Sequence, residues 1–221
     1  MNGIRAVLLD LYDTLVWSRW PSLRDLIEQR TGLDEGELVR AFVRTRPARS
    51  VGAHSSIQGD MTAVLHEAGV ADDPTLVAEL VELERGFLVD GVHLYEDSVP
   101  VMRALRERGT RVAVVSNCSH STRPIVDRLG LQDEADAVVL SFEVGIAKPD
   151  AGIYLTALER LRVAPDEAVF VDDQAAYCDG ATTVGMSAYL IQREDAMPDE
   201  GRSEPGGRRV IDDLRALLDL V

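Results

Sequence analysis

Lysine is almost missing from this sequence. Lysine and arginine together total 23 in 221 residues, and Lys148 is the one lysine among them. Positive charge is scarce altogether, because 38 acidic residues bring the formal net charge to -15 and the pI to about 4.6. A nucleic-acid backbone needs a basic face, and an anionic membrane surface attracts basic segments. The acidity excludes both partners and serves solubility. Apolar runs of membrane-spanning length are absent. The chain enters a strand-like segment at once, so no signal peptide is expected. Only two cysteines occur, Cys118 and Cys178, without metal-ligand spacing. That excludes a disulfide framework and fits a reducing, cytoplasmic setting with two idle thiols.

What is present is an ordinary globular mixture, 46% hydrophobic and 28% charged, long enough for one good core and a smaller second unit. Short apolar, β-rich runs recur at residues 4–9, 112–116, 137–141, 168–171, 188–191 and, more weakly, 209–211. Helix-period segments such as "VPVMRALRERG" and "PDAGIYLTALERL" separate the later ones. Strands alternating with helices predict βαβ units and a parallel sheet. Residues 16–95 differ: "PSLRDLIEQRTG", "DEGELVRAFVRTR", "SIQGDMTAVLHEAG" and "DPTLVAELVELERGFL" are helix patterns with no convincing strand. They predict a helical insertion. Residues 193–209, rich in Pro, Gly and charge, read as a solvated loop.

Four places carry chemistry. In "AVLLDLYDTLV" an apolar strand ends in Asp10. Open parallel sheets bind ligands beyond the carboxyl ends of their strands, so Asp10 faces a site. Its carboxylate is ionised at neutral pH and can act as a nucleophile without a base. Strand alternation puts Tyr12 on the side of Asp10 and Asp13 on the other. In "VAVVSNCSHST" a strand ends in Ser116 and Asn117 shortly before a helix. Hydroxyl, amide and free N–H groups at such a turn suit an anionic oxygen. In "VGIAKPDAGIY" the lone Lys148 supplies a compact ammonium, where arginine served everywhere else. In "AVFVDDQAAYCDGA" a strand ends in Asp172 and Asp173. Adjacent acids repel unless a cation is present, and hard oxygen ligands suit Mg²⁺.

Taken in this order, the four places resemble the haloacid dehalogenase-like hydrolase superfamily over nearly the whole chain. "DLYDTL", Ser116 with Asn117, Lys148 with Pro149, and "FVDD" are similar to its motifs one to four. The resemblance implies an α/β fold, a Rossmann-like three-layer core with a parallel sheet over residues 1–15 and 96–221. An inserted α-helical cap over residues 16–95 would close over the site and help select the substrate. Asp10 would be the nucleophile that forms a covalent aspartyl intermediate. Thr14, Ser116 and Asn117 would position the transferred group, and Lys148 would balance negative charge. Mg²⁺ would be held by Asp10, Asp172, Asp173 and the backbone carbonyl of Tyr12. The implied activity is hydrolysis of a small phosphorylated metabolite, by a monomer or weak homodimer.

Two departures cut in opposite directions. Phosphatases of this family usually carry a second aspartate where Tyr12 stands, which protonates the leaving oxygen and then activates water. Tyrosine there resembles the dehalogenase branch, whose halide leaves without a proton. That branch has Ser and Asn at motif four and a later aspartate, and works without metal; this chain has Asp172, Asp173, Gln174 and Tyr177. Without a cation, Asp10 and Asp173 would raise each other's pKa and blunt the nucleophile, so the phosphatase reading leads. A metal-independent 2-haloacid dehalogenase and a catalytically weak binding protein are the alternatives. A phenol, with a reference pKa of about 10, shuttles protons reluctantly, so Tyr12 predicts poor turnover of alkyl phosphates and a preference for aryl or acyl phosphates. Trp17, Arg19 and Trp20 are expected near the seam of cap and core; Arg40, Arg44, Arg46 and Arg49 could offer an arginine to an anionic substrate, with a solvated helix face the leading reading for any one of them. His54, His66, His93 and His120 are scattered, with His120 expected in a surface turn. Tyr154 fits the core as well as the site.

Overall fold

The structure is a computed structural model that describes residues 3–34, 36–193 and 204–221. The loop expected over 193–209 lies, from 194 to 203, outside the described residues.

The chain runs through β1 (Ala6–Leu9), β2 (Val16–Ser18), α1 (Trp20–Thr31), α2 (Glu37–Ser50), α3 (Ile57–Glu67), α4 (Pro74–Asp90) and β3 (Val92–Leu94). It continues with α5 (Ser98–Glu107), β4 (Arg111–Ser116), α6 (Thr122–Arg128), α7 (Leu131–Glu134), β5 (Ala137–Leu140), α8 (Ser141–Val144) and α9 (Ala151–Leu161). β6 (Ala168–Asp172), α10 (Ala175–Thr183), β7 (Ser187–Ile191), β8 (Arg209–Ile211) and a closing 3₁₀ helix, Leu214–Asp219, complete it. This is the α/β architecture expected.

Six strands form one sheet in the order β5-β4-β1-β6-β7-β8, and their pairings are parallel. A parallel sheet is covered on both faces, which is why its central strands are apolar throughout rather than alternating. Val7 and Leu9 of β1 join Val114, Val171, Met102 and Ile125 on one face. Ala6 and Leu8 join Val115, Phe170, Ile153 and Leu158 on the other. Leu9 sits between Val114 and Val171 in register. Asp10, Ser116 and Asp172 therefore leave the sheet at the same edge, where the chain first escapes the two apolar layers.

Helices α1 to α4 enclose an apolar cluster of their own, with Leu23, Ile27, Leu38, Met61, Val64, Leu65 and Leu80 at its centre. Their ends follow local chemistry. The Ser56 hydroxyl accepts the Gly59 N–H at the start of α3, and the Asp73 carboxylate accepts the N–H groups of Thr75 and Leu76 at the start of α4. The insertion does contain strand, unlike the sequence reading. β2 and β3 pair antiparallel, Trp17 opposite His93, and tie its two ends together. Three residues each are too few to show a period, and the partners are distant in sequence.

Candidate active site

Asp10 lies one residue beyond β1, and its N–H continues the sheet by donating to the Val171 carbonyl. Its side chain is 9% exposed. Lys148 reaches it from the turn before α9. The Lys148 Nζ donates to Asp10 Oδ1 at 2.5 Å, to Asp172 Oδ2 at 2.6 Å and to the Val115 carbonyl at 3.0 Å. Three divergent donors on one atom are what an ammonium offers and a planar guanidinium does not. The rings of Tyr177 and Phe170 lie 5.0 and 5.4 Å from the same nitrogen. Tyr177 thus meets Lys148 with a π-face where the dehalogenase pattern puts an acid.

Asp172 ends β6 and Asp173 follows it. Asp172 is fully buried, and its Oδ1 accepts the Gln174 N–H at 2.8 Å. Asp173 accepts from the Gln174 side chain at 2.7 Å. Oxygens of Asp10, Asp172 and Asp173 all lie within 4.8 Å of one another. Three carboxylates with one ammonium leave surplus negative charge in a desolvated place. Burial raises the pKa of Asp10 and of Asp172 against the pull of Lys148. Asp173 is pushed up to about 7, by burial first and then by Asp10 and Asp13. Burial works against the Lys148 charge, but Asp10 and Asp172 outweigh it and raise its pKa. The donor set, hard oxygens with excess negative charge, fits a divalent cation.

The second expected group divides. Thr14 Oγ1 and Ser116 Oγ are buried with no hydrogen-bond partner among the described residues, an expensive state unless something binds there. Asn117 faces Lys148 instead. Its Nδ2 donates to the Lys148 carbonyl and its Oδ1 accepts the Lys148 N–H, at 2.8 and 2.7 Å. It positions the lysine's backbone.

Tyr12 is turned towards α6, its hydroxyl 3.0 Å from the Thr122 hydroxyl. Tyr154 belongs to the core, where it donates to the Tyr177 carbonyl and packs edge-on against Phe170. Both cysteines are buried, which pushes each thiol up to about 12; neither is a nucleophile.

A model of the haloacid dehalogenase-like hydrolases matches residues 4–185. The chain belongs to that family. Among curated haloacid dehalogenase-like relatives, a Mycobacterium tuberculosis protein named a phosphatase is 30% identical over 98% of this chain and 98% of its own length. A glyceraldehyde 3-phosphate phosphatase of Methanopyrus kandleri is 32% identical over 99% and 97%. Among solved structures, a 2-haloacid dehalogenase from Pseudomonas syringae is 25% identical with a TM-score of 0.70, covering 98% of this chain and 97% of that one. A phosphatase of the family from Thermococcus onnurineus is 24% identical with a TM-score of 0.65, at the same coverage.

The sequence reading missed the seam between the helical insertion and the sheet. His120 does sit in a turn, but α3 covers it: its Nδ1 lies 2.8 Å from Asp60 Oδ2, and its ring packs at a tilt against Phe142 with centroids 4.7 Å apart. Gly52, at φ 71°, lies where a Cβ would overlap the Phe142 carbonyl. Glu84 lies on α4, which packs against α6 at this seam. Arg49 is not on a solvated face; it donates to Thr45 and the Phe42 carbonyl and stacks on the Phe42 ring. Arg44 is exposed and pairs with Glu67. Trp17 stacks on His93, and Trp20 packs on Phe42 within the insertion. A signal did exist. Asp60 precedes Met61, Val64 and Leu65 on the buried face of α3, and Glu84 falls four residues from both Leu80 and Leu88. Acids in an apolar stripe mark a contact that is not simple core.

Proposed function

We propose that this hydrolase is a Mg²⁺-dependent phosphatase of a small phosphorylated metabolite, working through an aspartyl-phosphate on Asp10. The observation that supports it is the meeting of Asp10, Asp172 and Asp173 oxygens within 4.8 Å beside a single ammonium. The two nearly full-length relatives named as phosphatases support the same reading. Asp10, Asp172, Asp173 and the Tyr12 carbonyl would hold the cation. Bound there, Mg²⁺ would neutralise charge on the phosphoryl oxygens.

The chain's own groups do the rest. Lys148 fixes the Asp10 carboxylate, which attacks phosphorus as the bond to the leaving oxygen breaks. The partnerless hydroxyls of Thr14 and Ser116 donate to the phosphoryl oxygens. Asn117 holds the Lys148 main chain in place. Water then attacks phosphorus, the bond to Asp10 breaks to return its carboxylate, and the water's proton leaves with the inorganic phosphate. Residues 16–95 act as the cap over a core of 1–15 and 96–221, and the substrate is a small anion. Two buried free thiols suit a reducing cytoplasm, and a monomer or weak homodimer serves this chemistry.

Tyr12 is the observation that favours a second reading, metal-free dehalogenation of a 2-halo acid. Hydrolysis of p-nitrophenyl phosphate with and without Mg²⁺ separates the two. Release that needs Mg²⁺, stops with chelator and vanishes in Asp10→Asn is expected. Halide release from 2-chloropropionate without metal, and no phosphate release, would overturn the phosphatase reading.

A further inference from the structure

A hydroxyl that binds a transferred phosphoryl group must be aimed, and Thr14 has only its main chain to aim it. Its side chain is buried, and Oγ1 has no hydrogen-bond partner of its own among the described residues. The loop that carries it turns sharply. Asp13, just before it, has a φ of 56°. A residue with a side chain keeps that left-handed conformation only where its surroundings impose it. The Asp13 N–H closes the turn on the Val16 carbonyl at 2.7 Å.

Three donors grip this main chain from outside the loop. Arg193, just after β7, donates from Nη2 to the Thr14 carbonyl at 2.7 Å. The Leu15 carbonyl accepts the Tyr95 N–H at 3.0 Å and the Ser98 hydroxyl at 2.8 Å. Tyr95 and Ser98 lie where the chain returns from the insertion to the sheet. Arg193 is held in turn. Asp97 takes Nη1 at 2.7 Å and Nη2 at 2.9 Å, and the guanidinium carbon lies 4.2 Å from the centre of the Tyr95 ring. Asp97 also accepts the Leu214 N–H at 2.8 Å, and both members of the pair are buried. A carboxylate that engages both arms of the fork fixes the plane of a guanidinium. The direction of the N–H that reaches Thr14 is thereby fixed as well. Desolvation consumes much of the attraction in a buried ion pair, so direction is the more distinctive thing this one supplies.

We propose that Arg193, oriented by Asp97, is a positioning residue for phosphoryl transfer: by fixing the Thr14 carbonyl it aims the Thr14 hydroxyl at an oxygen of the transferred group. This rests on the phosphatase reading. Neither Arg193 nor Asp97 touches the substrate, and both act through Thr14. A donor aimed at developing charge is worth about 10²–10³-fold, and a misplacement of about 1 Å can cost about 10²-fold. A pair that served stability alone would change the unfolding transition and leave the chemistry as it was.

Arg193→Lys keeps a cation beside Asp97 and gives up the fork. With p-nitrophenyl phosphate and Mg²⁺, well below the unfolding temperature, kcat is expected to fall about tenfold or more. KM should stay nearly unchanged, because the loss falls on the transition state. Orthovanadate, which adopts the transition-state geometry, should bind correspondingly more weakly, and inorganic phosphate should not. Thr14→Val removes the hydroxyl that Arg193 is argued to aim. In that background Arg193→Lys is expected to cost about twofold at most. Where Thr14→Val turns over too slowly to follow, orthovanadate affinity closes the same cycle. A kcat within about twofold of wild type in Arg193→Lys, or an equal loss with and without the Thr14 hydroxyl, overturns the proposal. Should Arg193→Lys not fold, Asp97→Glu, which shifts the fork and keeps the ion pair, is read in the same way. A wild-type enzyme inactive on p-nitrophenyl phosphate with Mg²⁺ would instead sink the phosphatase reading itself.

Discussion

His120 Nδ1 and Asp60 Oδ2 stand 2.8 Å apart, and the same oxygen is 3.3 Å from the His120 backbone nitrogen. One carboxylate of the helical insertion thus grips both the ring and the main chain of the loop that joins β4 to α6. Asp60 is 6% exposed, so the contact is shielded from solvent, unlike most surface pairs. Residues in direct contact couple by about 0.5–3 kcal/mol. Asp60→Ala and His120→Ala are expected to lower kcat/KM non-additively, with the double variant no worse than the poorer single one. Full additivity in a double-mutant cycle would show that the contact does not couple the helical insertion to the loop after β4.

Lys148→Arg tests the lone lysine. Its three partners surround one nitrogen, and a guanidinium fork would have to open that packing. Removing a fitting cation strands Asp10 and Asp172 in a buried place, and breaking a buried pair costs about 3–5 kcal/mol. The variant is expected to be inactive and to unfold at lower urea concentration. Wild-type activity in Lys148→Arg would refute the claim that the site needs an ammonium.

A second buried ion pair sets the response to acid. Asp97, 1% exposed, accepts from Arg193 at 2.7 and 2.9 Å and from the Leu214 N–H at 2.8 Å. Arg193 also donates to the Thr14 carbonyl at 2.7 Å, so the pair steadies the loop after Asp10. Burial alone would raise the Asp97 pKa, but these hydrogen bonds overcome it and hold it below the usual carboxylate range. A depressed folded pKa gives stability that is present above the unfolded value, about 3.9, and is lost as pH falls through the folded one. Urea midpoints should therefore drop in the wild type as pH falls below about 4. Asp97→Asn should be less stable at pH 7 by about 3–5 kcal/mol and should lack that part of the acid loss. Parallel pH profiles for the two proteins would contradict this.

The central strands were legible because burial on both faces writes itself as an unbroken apolar run, as in Ala6–Leu9 and Ala168–Asp172. Asp10, Lys148, Asp172 and Asp173 were legible because charge at the end of such a run, or a residue type used once, stands out locally. The seam was not legible. Asp60 and His120 are 60 positions apart, and their meaning appears only when α3 is docked on the sheet. β2 and β3 failed for the same reason: each needs the other to be a strand. Tyr154, which fitted core or site equally by period, was decided by its Tyr177 carbonyl partner.

A chain with a single lysine also has a single side-chain amine. That amine is 1% exposed in the folded protein, so an acylating reagent finds no ε-amino target on the surface. Covalent labelling of Lys148 then requires an opening that both admits the reagent and frees the amine from Asp10 and Asp172. Any ε-amine label on this chain therefore reports on Lys148 alone, free of background from any other lysine.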